Sequence, residues 1–340
     1  MTTVKLIGGR SNPQLANGIS KYLEVPLTNC VIDSFANGET RIEINENIRG
    51  CHVFIIETGA TTVSGAIGGN RDQKFGSIND FLVETLLLID ACKRADAYKV
   101  AVILACFPYA RSDKKDRPRV PIGASMVTNV LLAAGCDRII TMDLHSGQIQ
   151  GFANQIPFDN LYGINLHLTN LRKFFGKINL DVNSLFVLVS LDVGGAKRVK
   201  EYAKRLNMSH AIMDKQRDYS KPGTIMKSQL IGDVKGKYAI CIDDMADTCG
   251  TIIAGVKDLE SHGCIGAYIL ITHGIFSGPA FDRLNSCDFI KNVICINTID
   301  QTSNTTLSEK LLVIDASELF GKVIQRVANG GSVSELFEDH

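Results

Sequence analysis

The stretch AICIDDMADTCGT, residues 239–251, sets a short apolar run against three carboxylates, Asp243, Asp244 and Asp247, and then a Thr-Cys-Gly-Thr turn. The apolar start predicts a strand buried on both faces, which belongs in a parallel sheet covered by helices. The residues that follow, TIIAGVKDLESHG, predict a helix. The turn therefore presents unpaired backbone N–H groups and the hydroxyls of Thr248 and Thr251 at a helix N-terminus, which is a phosphate cradle. Three acids so close together repel one another and would repel a bare phosphate. Carboxylates do, however, accept hydrogen bonds from sugar hydroxyls and suit hydrated magnesium. A ligand with hydroxyls at one end and phosphate at the other, a phosphorylated sugar, satisfies both halves. A simple helix start with acids drawn to its dipole is the plainer reading, and the number of acids argues against it.

Working outward, VKLIGG, VFIIET, VAVILACF, RIITMD, LFVLVSLD and AYILITHG are also short, apolar and rich in β-branched residues, and helical patterns follow them. This alternation predicts an α/β fold with parallel sheets. Asn79 is placed to cap a helix that buries Phe81, Leu82, Thr85, Leu86 and Ile89 and ends near Lys93 and Arg94. A second helix begins after Gly194 and Gly195 and runs through Val199, Tyr202 and Leu206. With 340 residues the chain has room for two domains. The loop holding Pro157 divides an N-terminal domain, 1–161, from a C-terminal domain, 162–340. Segment 59–77, rich in Gly, Thr and Ser, has no periodic apolar face and reads as an inserted loop.

Composition narrows the function. The 36 basic and 36 acidic residues cancel, which argues against nucleic-acid and acidic-membrane partners and favours small polar or phosphorylated ligands. The ten cysteines lack paired CxxC spacing and read as reduced thiols of a cytosolic protein. No run approaches the roughly 18 apolar residues that span a bilayer, and MTTVKLIGGRSNPQ lacks a signal-peptide pattern. The expected localisation is cytoplasmic. GxxxxGK[ST], GxGxxG and HExxH motifs are absent, so a nucleotide would be held by other means.

Ligands of open parallel sheets bind beyond the carboxyl ends of the strands. After VAVILACF comes PYARSDKKDRPR, after RIITM comes DLHSGQ, after LFVLVSL comes DVGGAKR, and after HAIM comes DKQRD. Charged loops taken singly are usually solvated surface; their convergence on strand ends predicts an active site. Arg111, Lys114, Lys115, Arg117 and Arg119 make a candidate polyphosphate clamp, with forked Arg donors and Lys point charges. Asp143 and His145, two apart, point to one side of a strand-like backbone. His145 is either a structural hydrogen-bonder or a phosphate contact, since magnesium prefers oxygen. Asp192 is a further acid beside glycine backbone that a ligand can approach closely. Lys215 and Arg217 are paired cations on a loop, or else a surface patch.

Taken together, SFANGET, FPYARSDKKD, TMDLHSGQIQGF, GGAKRV, IDDMADTCGT, THGIFSGPA and NGGSVSELF make nearly the whole chain resemble the ribose-phosphate pyrophosphokinases, or phosphoribosyl pyrophosphate synthetases. The resemblance implies two similar parallel-sheet domains of the type I phosphoribosyltransferase-like kind, a magnesium cofactor, and ATP and ribose 5-phosphate as substrates. It further implies a homo-oligomer of dimers within a hexamer, or assembly with related subunits. The implied reaction transfers the pyrophosphoryl group of ATP to the C1 hydroxyl of ribose 5-phosphate, giving phosphoribosyl pyrophosphate and AMP for nucleotide biosynthesis.

By the same resemblance, Phe35, Asn37 and Glu39 form an adenine pocket offered across a subunit interface. Arg111, Ser112, Asp113, Lys114, Lys115 and Asp116 form the triphosphate clamp. His145 and Asp192 contact magnesium and triphosphate, with Asp143 and Asp159 as further metal candidates. Asp243 and Asp244 take the ribose hydroxyls, and Asp247, Thr248, Cys249, Gly250 and Thr251 take the 5-phosphate. Lys215 and Arg217 match a mobile catalytic loop. Arg49, Arg119, Ser332, Ser334 and Phe337 correspond to a phosphate-activated, ADP-inhibited regulatory site.

The chain departs from the family pattern in four places. Ser112 replaces a common glutamine, an extra residue lies near ANQIP, 59–77 has no usual counterpart, and Asp96 replaces a small hydroxyl residue, where its charge opposes an activating phosphate. A phosphoribosyltransferase could share IDDMADTCGT, but it has no need of SFANGET with FPYARSDKKD. Against a non-catalytic partner subunit stand the retained Lys215, Arg217, His145 and the three acids.

Overall fold

The computed structural model describes residues 2–60, 76–178, 182–217 and 225–337, with the backbone alone at 175–178, 182–183, 215–217 and 225–228. In chain order the first half contains β1 (Val4–Gly8), α1 (Pro13–Leu23), β2 (Cys30–Ser34), β3 (Thr40–Ile44), β4 (His52–Glu57), α2 (Ile78–Arg94), β5 (Lys99–Leu104), α3 (Gly123–Ala134), β6 (Arg138–Met142) and β7 (Phe158–Leu161). The second half begins with α4 (Ile164–Ile178), α5 (Val182–Leu185), β8 (Phe186–Ser190), α6 (Ala196–Leu206), β9 (His210–Arg217), β10 (Ile225–Ile231) and β11 (Tyr238–Ala246). It ends with α7 (Gly250–Ser261), β12 (Gly266–Gly274), α8 (Ala280–Asn285), β13 (Ile290–Ile296), β14 (Leu311–Ile314) and α9 (Ser317–Asn329).

The fold is α/β, as the apolar runs predict. One five-stranded sheet, ordered β1-β4-β5-β6-β7, is wholly parallel. A seven-stranded sheet follows the order β10-β9-β8-β11-β12-β13-β14 and is parallel except where β10 runs against β9. From β8 the chain winds outward to β9, then returns to place β11 on the other side of β8. Such a reversal opens a crevice beyond the carboxyl ends of the two central strands, where α/β sheets bind ligands. β2 and β3 form a separate antiparallel pair.

α2 is capped differently from the expectation. Ser77, not Asn79, is its N-cap: Ser77 Oγ accepts from the Asp80 N–H at 3.3 Å and Asp80 Oδ2 accepts from the Ser77 N–H at 2.6 Å, a reciprocal capping box. The acid three residues after a serine outweighs an asparagine already inside the first turn. The expected inserted loop thus ends before Ser77, and its residues 61–75 lie outside the described residues.

The two sheets share one apolar cluster. Leu6, Phe54 and Ile140 from the first are buried in the same cluster as Leu188, Ile240 and Leu270 from the second. Each such side chain contributes about 1.5–3 kcal/mol when fully removed from water. α1 helps to close it: Asn12 caps the helix by accepting from the Leu15 N–H at 3.1 Å, and Pro13 fits its first turn. Leu15 and Ile19 then pack in the cluster that holds Phe320 and Val323 of α9.

Polar side chains cross the same boundary. Asn12 Nδ2 donates to the Asn297 carbonyl at 2.9 Å. His273, buried on β12, donates from Nε2 to the carbonyls of Met142 at 3.0 Å and Asp143 at 3.3 Å. Burial alone would lower the pKa of His273, yet the adjacent Cys106 and then Asp143 push it up to about 9. His167 behaves oppositely. Burial takes it down to about 3, so the neutral ring accepts from Tyr202 Oη at 2.6 Å and donates to the Ile271 carbonyl at 3.2 Å.

Candidate active site

Of the three acids in the 239–251 stretch, Asp243 and Asp244 lie within the end of β11, and Asp247 follows it. Asp243 pairs in register with Ile271 of β12, and Asp244 is buried. Asp244 Oδ2 lies 2.7 Å from His145 Nδ1, across 99 residues of sequence. Arg198 Nη1, from α6, stands 3.1 Å from Asp243 Oδ1 and 3.5 Å from Asp244 Oδ1. Burial, reinforced by its neighbour Asp244, pushes Asp243 up to about 7. Burial opposes ionisation of Asp244 as well, but hydrogen bonds from His145 and Asp243 and the Arg198 charge hold it below the usual carboxylate range. The same bond raises His145 toward its charged form.

Beyond the acids, Cys249 adopts a left-handed backbone (φ 59°) as the residue before α7, and α7 starts with no side-chain cap. The first N–H groups of α7 are therefore left for a ligand. Cys249 points inward, and burial pushes its thiol up to about 12, so it is a core residue here. Arg283 of α8 donates to the Thr248 carbonyl at 2.6 Å and steadies the turn. Asp247 Oδ2 reaches Arg111 Nη1 at 2.8 Å.

A cavity of about 590 Å³ is lined by Arg111, Asp113, Lys114, His145, Ser146, Gly147 and Gln148. Ser112 does not line it: its hydroxyl accepts from the Gly123 N–H at 2.9 Å and donates to the Pro121 carbonyl at 3.4 Å, tying the loop to α3. Lys115 is exposed outside the cavity, and Asp116 pairs with Arg117 at 3.6 Å.

The other candidates go elsewhere. Asp143 does not face the same way as His145, because its φ of 41° breaks the extended backbone. Its carboxylate instead accepts from Thr272 Oγ1 at 2.5 Å and the Gly163 N–H at 3.1 Å. Asp159 pairs with Arg138, the first residue of β6, at the amino end of the sheet. Asp192 follows β8, exposed, with Oδ1 accepting from the Gly195 N–H at 2.9 Å.

Phe35, 53% exposed, and Asn37 and Glu39 sit at the tip joining β2 to β3, where Asn37 Oδ1 accepts from the Glu39 N–H at 3.2 Å. None of the three lines the cavity. Lys215 and Arg217, expected on a loop, lie on β9, in register with Ser228 and Ile225 of β10. Their side chains lie outside the described residues.

One chain does not gather the regulatory five. Arg49 precedes β4 and pairs with Asp96 at 3.4 Å, whereas Arg119, with a φ of 65°, lies in the loop after β5. Ser332 and Ser334 are exposed near the C-terminus, and Phe337 packs edge-on against Tyr162, ring centroids 5.9 Å apart.

Sequence reading missed three features. Arg198 reads as a surface cation on an amphipathic helix, and Arg283 as one more charge on a short helix; only the fold brings them to the acids and the turn. The third is a fully buried acid pair, Glu57 and Glu84. Glu84 accepts from Arg10 Nε at 2.6 Å and from the Arg10 N–H at 2.9 Å, while Glu57 accepts from the Ser11 hydroxyl and N–H. Burial, and then the Glu84 charge, raises Glu57 well above the usual range.

Comparison with known proteins bears on this geometry. Residues 4–135 match the family described as the N-terminal domain of ribose phosphate pyrophosphokinase, and residues 221–338 match the phosphoribosyl synthetase-associated domain. The crystal structure of phosphoribosylpyrophosphate synthetase from Mycobacterium smegmatis is 34% identical, covers 97% of this chain and 100% of its own, and superposes with a TM-score of 0.82. The chain belongs to the ribose-phosphate pyrophosphokinase family. A structure of Leishmania donovani UMP synthase, 9% identical over 84% of this chain and 81% of that one, superposes with a TM-score of only 0.24. Membership in the pyrophosphokinase family makes this a ribose-phosphate diphosphokinase with parallel sheets in two domains. Among its described residues no helix is long and apolar enough to cross a membrane.

Proposed function

We propose that the chain carries out the family reaction, transfer of the pyrophosphoryl group of ATP to the C1 hydroxyl of ribose 5-phosphate, with the residue roles that follow. The observation that carries the reading is the 2.7 Å contact of His145 with Asp244, which joins the cavity of the basic loop to the acid pair of the sugar turn. Ribose hydroxyls donate to Asp243 and Asp244. The 5-phosphate rests on the turn of Asp247, Thr248, Cys249, Gly250 and Thr251, where the start of α7 favours an anion.

The triphosphate lies along Arg111, Asp113 and Lys114, with His145 at the far wall; Ser112, Lys115 and Asp116 shape the loop. The C1 oxygen attacks the β-phosphorus in line with the oxygen that leaves on AMP. Positioning and neutralisation of spreading charge then account for the rate. Lys215 and Arg217 supply charge to the transferring group.

Magnesium suits this rim. A hard ion that keeps its waters needs only one or two carboxylates besides substrate phosphates, and exposed Asp192 would hold it, whereas His145, drawn toward its charged form by Asp244, would contact the phosphates instead. Asp143 and Asp159 are committed to other partners. When bound, the ion neutralises triphosphate charge.

The exposed tip of Phe35, Asn37 and Glu39 would serve a neighbouring copy, which fits a homo-oligomer of dimers within a hexamer. We divide the domains at 161/162 and place the protein in the cytoplasm. The regulatory five would need several copies, and the Asp96 charge beside Arg49 opposes strong phosphate activation; a phosphate titration of the rate reads this directly. The main test is purified protein with ribose 5-phosphate, magnesium and ATP, followed for AMP. AMP equal to phosphoribosyl pyrophosphate supports the proposal, and no AMP overturns it.

A further inference from the structure

We infer that Arg198 is the resident cation of the acid pair: its guanidinium occupies the place a divalent ion would take between Asp243 and Asp244 and so commits both carboxylates to sugar hydroxyls. This deepens the preceding proposal and rests on it for the identity of the sugar.

One nitrogen, Arg198 Nη1, approaches an oxygen of each carboxylate, at 3.1 and 3.5 Å. The second Asp244 oxygen is engaged by His145 at 2.7 Å, and the Asp244 N–H donates to Asp243 Oδ1 at 2.8 Å. A metal ion bridging the pair would need those oxygens at about 2.0–2.6 Å. It would also sit beside a fixed positive charge in a half-buried site, where repulsion is weakly screened. Guanidinium does not lose its proton in proteins, so the place is not vacated by pH. Hydroxyl donors meet no such conflict, because each carboxylate keeps further lone pairs. Arg198 is thus a positioning and specificity residue.

The test is titration of the nucleotide-free protein with Mn²⁺, read by electron paramagnetic resonance, which a merely structural role would not move. Arg198→Met is expected to gain a site at least about tenfold tighter than any in the wild type, a difference of about 1.4 kcal/mol. Adding Asp243→Asn to that variant should abolish the gain, and Asp243→Asn alone should leave the wild-type titration unchanged. An Arg198→Met titration matching the wild type overturns the inference. So does loss of Mn²⁺ affinity in Asp243→Asn alone, an arm that decides the matter even if circular dichroism shows Arg198→Met unfolded. AMP formation by the wild type reports separately on the substrate reading.

Discussion

Arg111 Nη1 lies 2.8 Å from Asp247 Oδ2, and 136 residues of sequence separate the two. Their side chains are 50% and 33% exposed, so the pair adds only about 0–1 kcal/mol to stability. Its importance is positional, since it joins the proposed triphosphate clamp to the proposed sugar-phosphate turn. Arg111→Met is expected to lower kcat/KM for ATP by about 10²-fold, the scale of a lost preorganised donor, while the melting temperature stays nearly fixed. Steady-state kinetics beside thermal melts check this, and unchanged kcat/KM would remove Arg111 from the clamp.

Lys215→Ala should lower kcat by about 10²-fold or more if Lys215 has its proposed role, in which its charge is used in the transition state. KM for ATP should move far less. Near-normal turnover would refute the role given to this residue.

Buried Glu57 makes stability depend on pH. The folded pKa of Glu57 lies above its ordinary 4.5, so the native state holds the proton longer than the unfolded chain. Stability from this group is full below about that ordinary value and falls as pH rises through the folded pKa. Glu57→Gln keeps the Ser11 bonds without titrating. Its stability relative to the wild type should grow with pH, by at most about 1.4 kcal/mol per unit for one proton. Urea melts across a pH series read the slope, and parallel profiles would sink the claim.

Tyr202→Phe removes the hydroxyl that His167 accepts from at 2.6 Å and leaves a buried ring nitrogen unpaired. Destabilisation of about 1–3 kcal/mol is expected in denaturant melts.

The apolar strands were legible because they are buried on both faces. VKLIGG, VFIIET, VAVILACF, RIITMD, LFVLVSLD, AICIDD and AYILITHG coincide, to within a residue or two at either end, with β1, β4, β5, β6, β8, β11 and β12. The β2–β3 pair was not legible, since its half-buried residues alternate with charges such as Asp33, Arg41 and Glu43. β9 also runs further than expected: its polar end, Asp214 to Arg217, looks like loop until β10 pairs with it. At the site, residue types after strand ends were readable one by one. Partnerships were not: His145 and Asp244 are 99 residues apart, and only the meeting of two sheets joins them. Asp143 misled because period-two spacing assumes an extended backbone, which its positive φ denies.

His273 has a final consequence. With its bonds to Met142 and Asp143, the Asn12 bond to Asn297, and the apolar cluster common to both sheets, it rivets the halves into one block. The distance between the proposed triphosphate clamp and the proposed sugar turn is thereby set by the packing of that block.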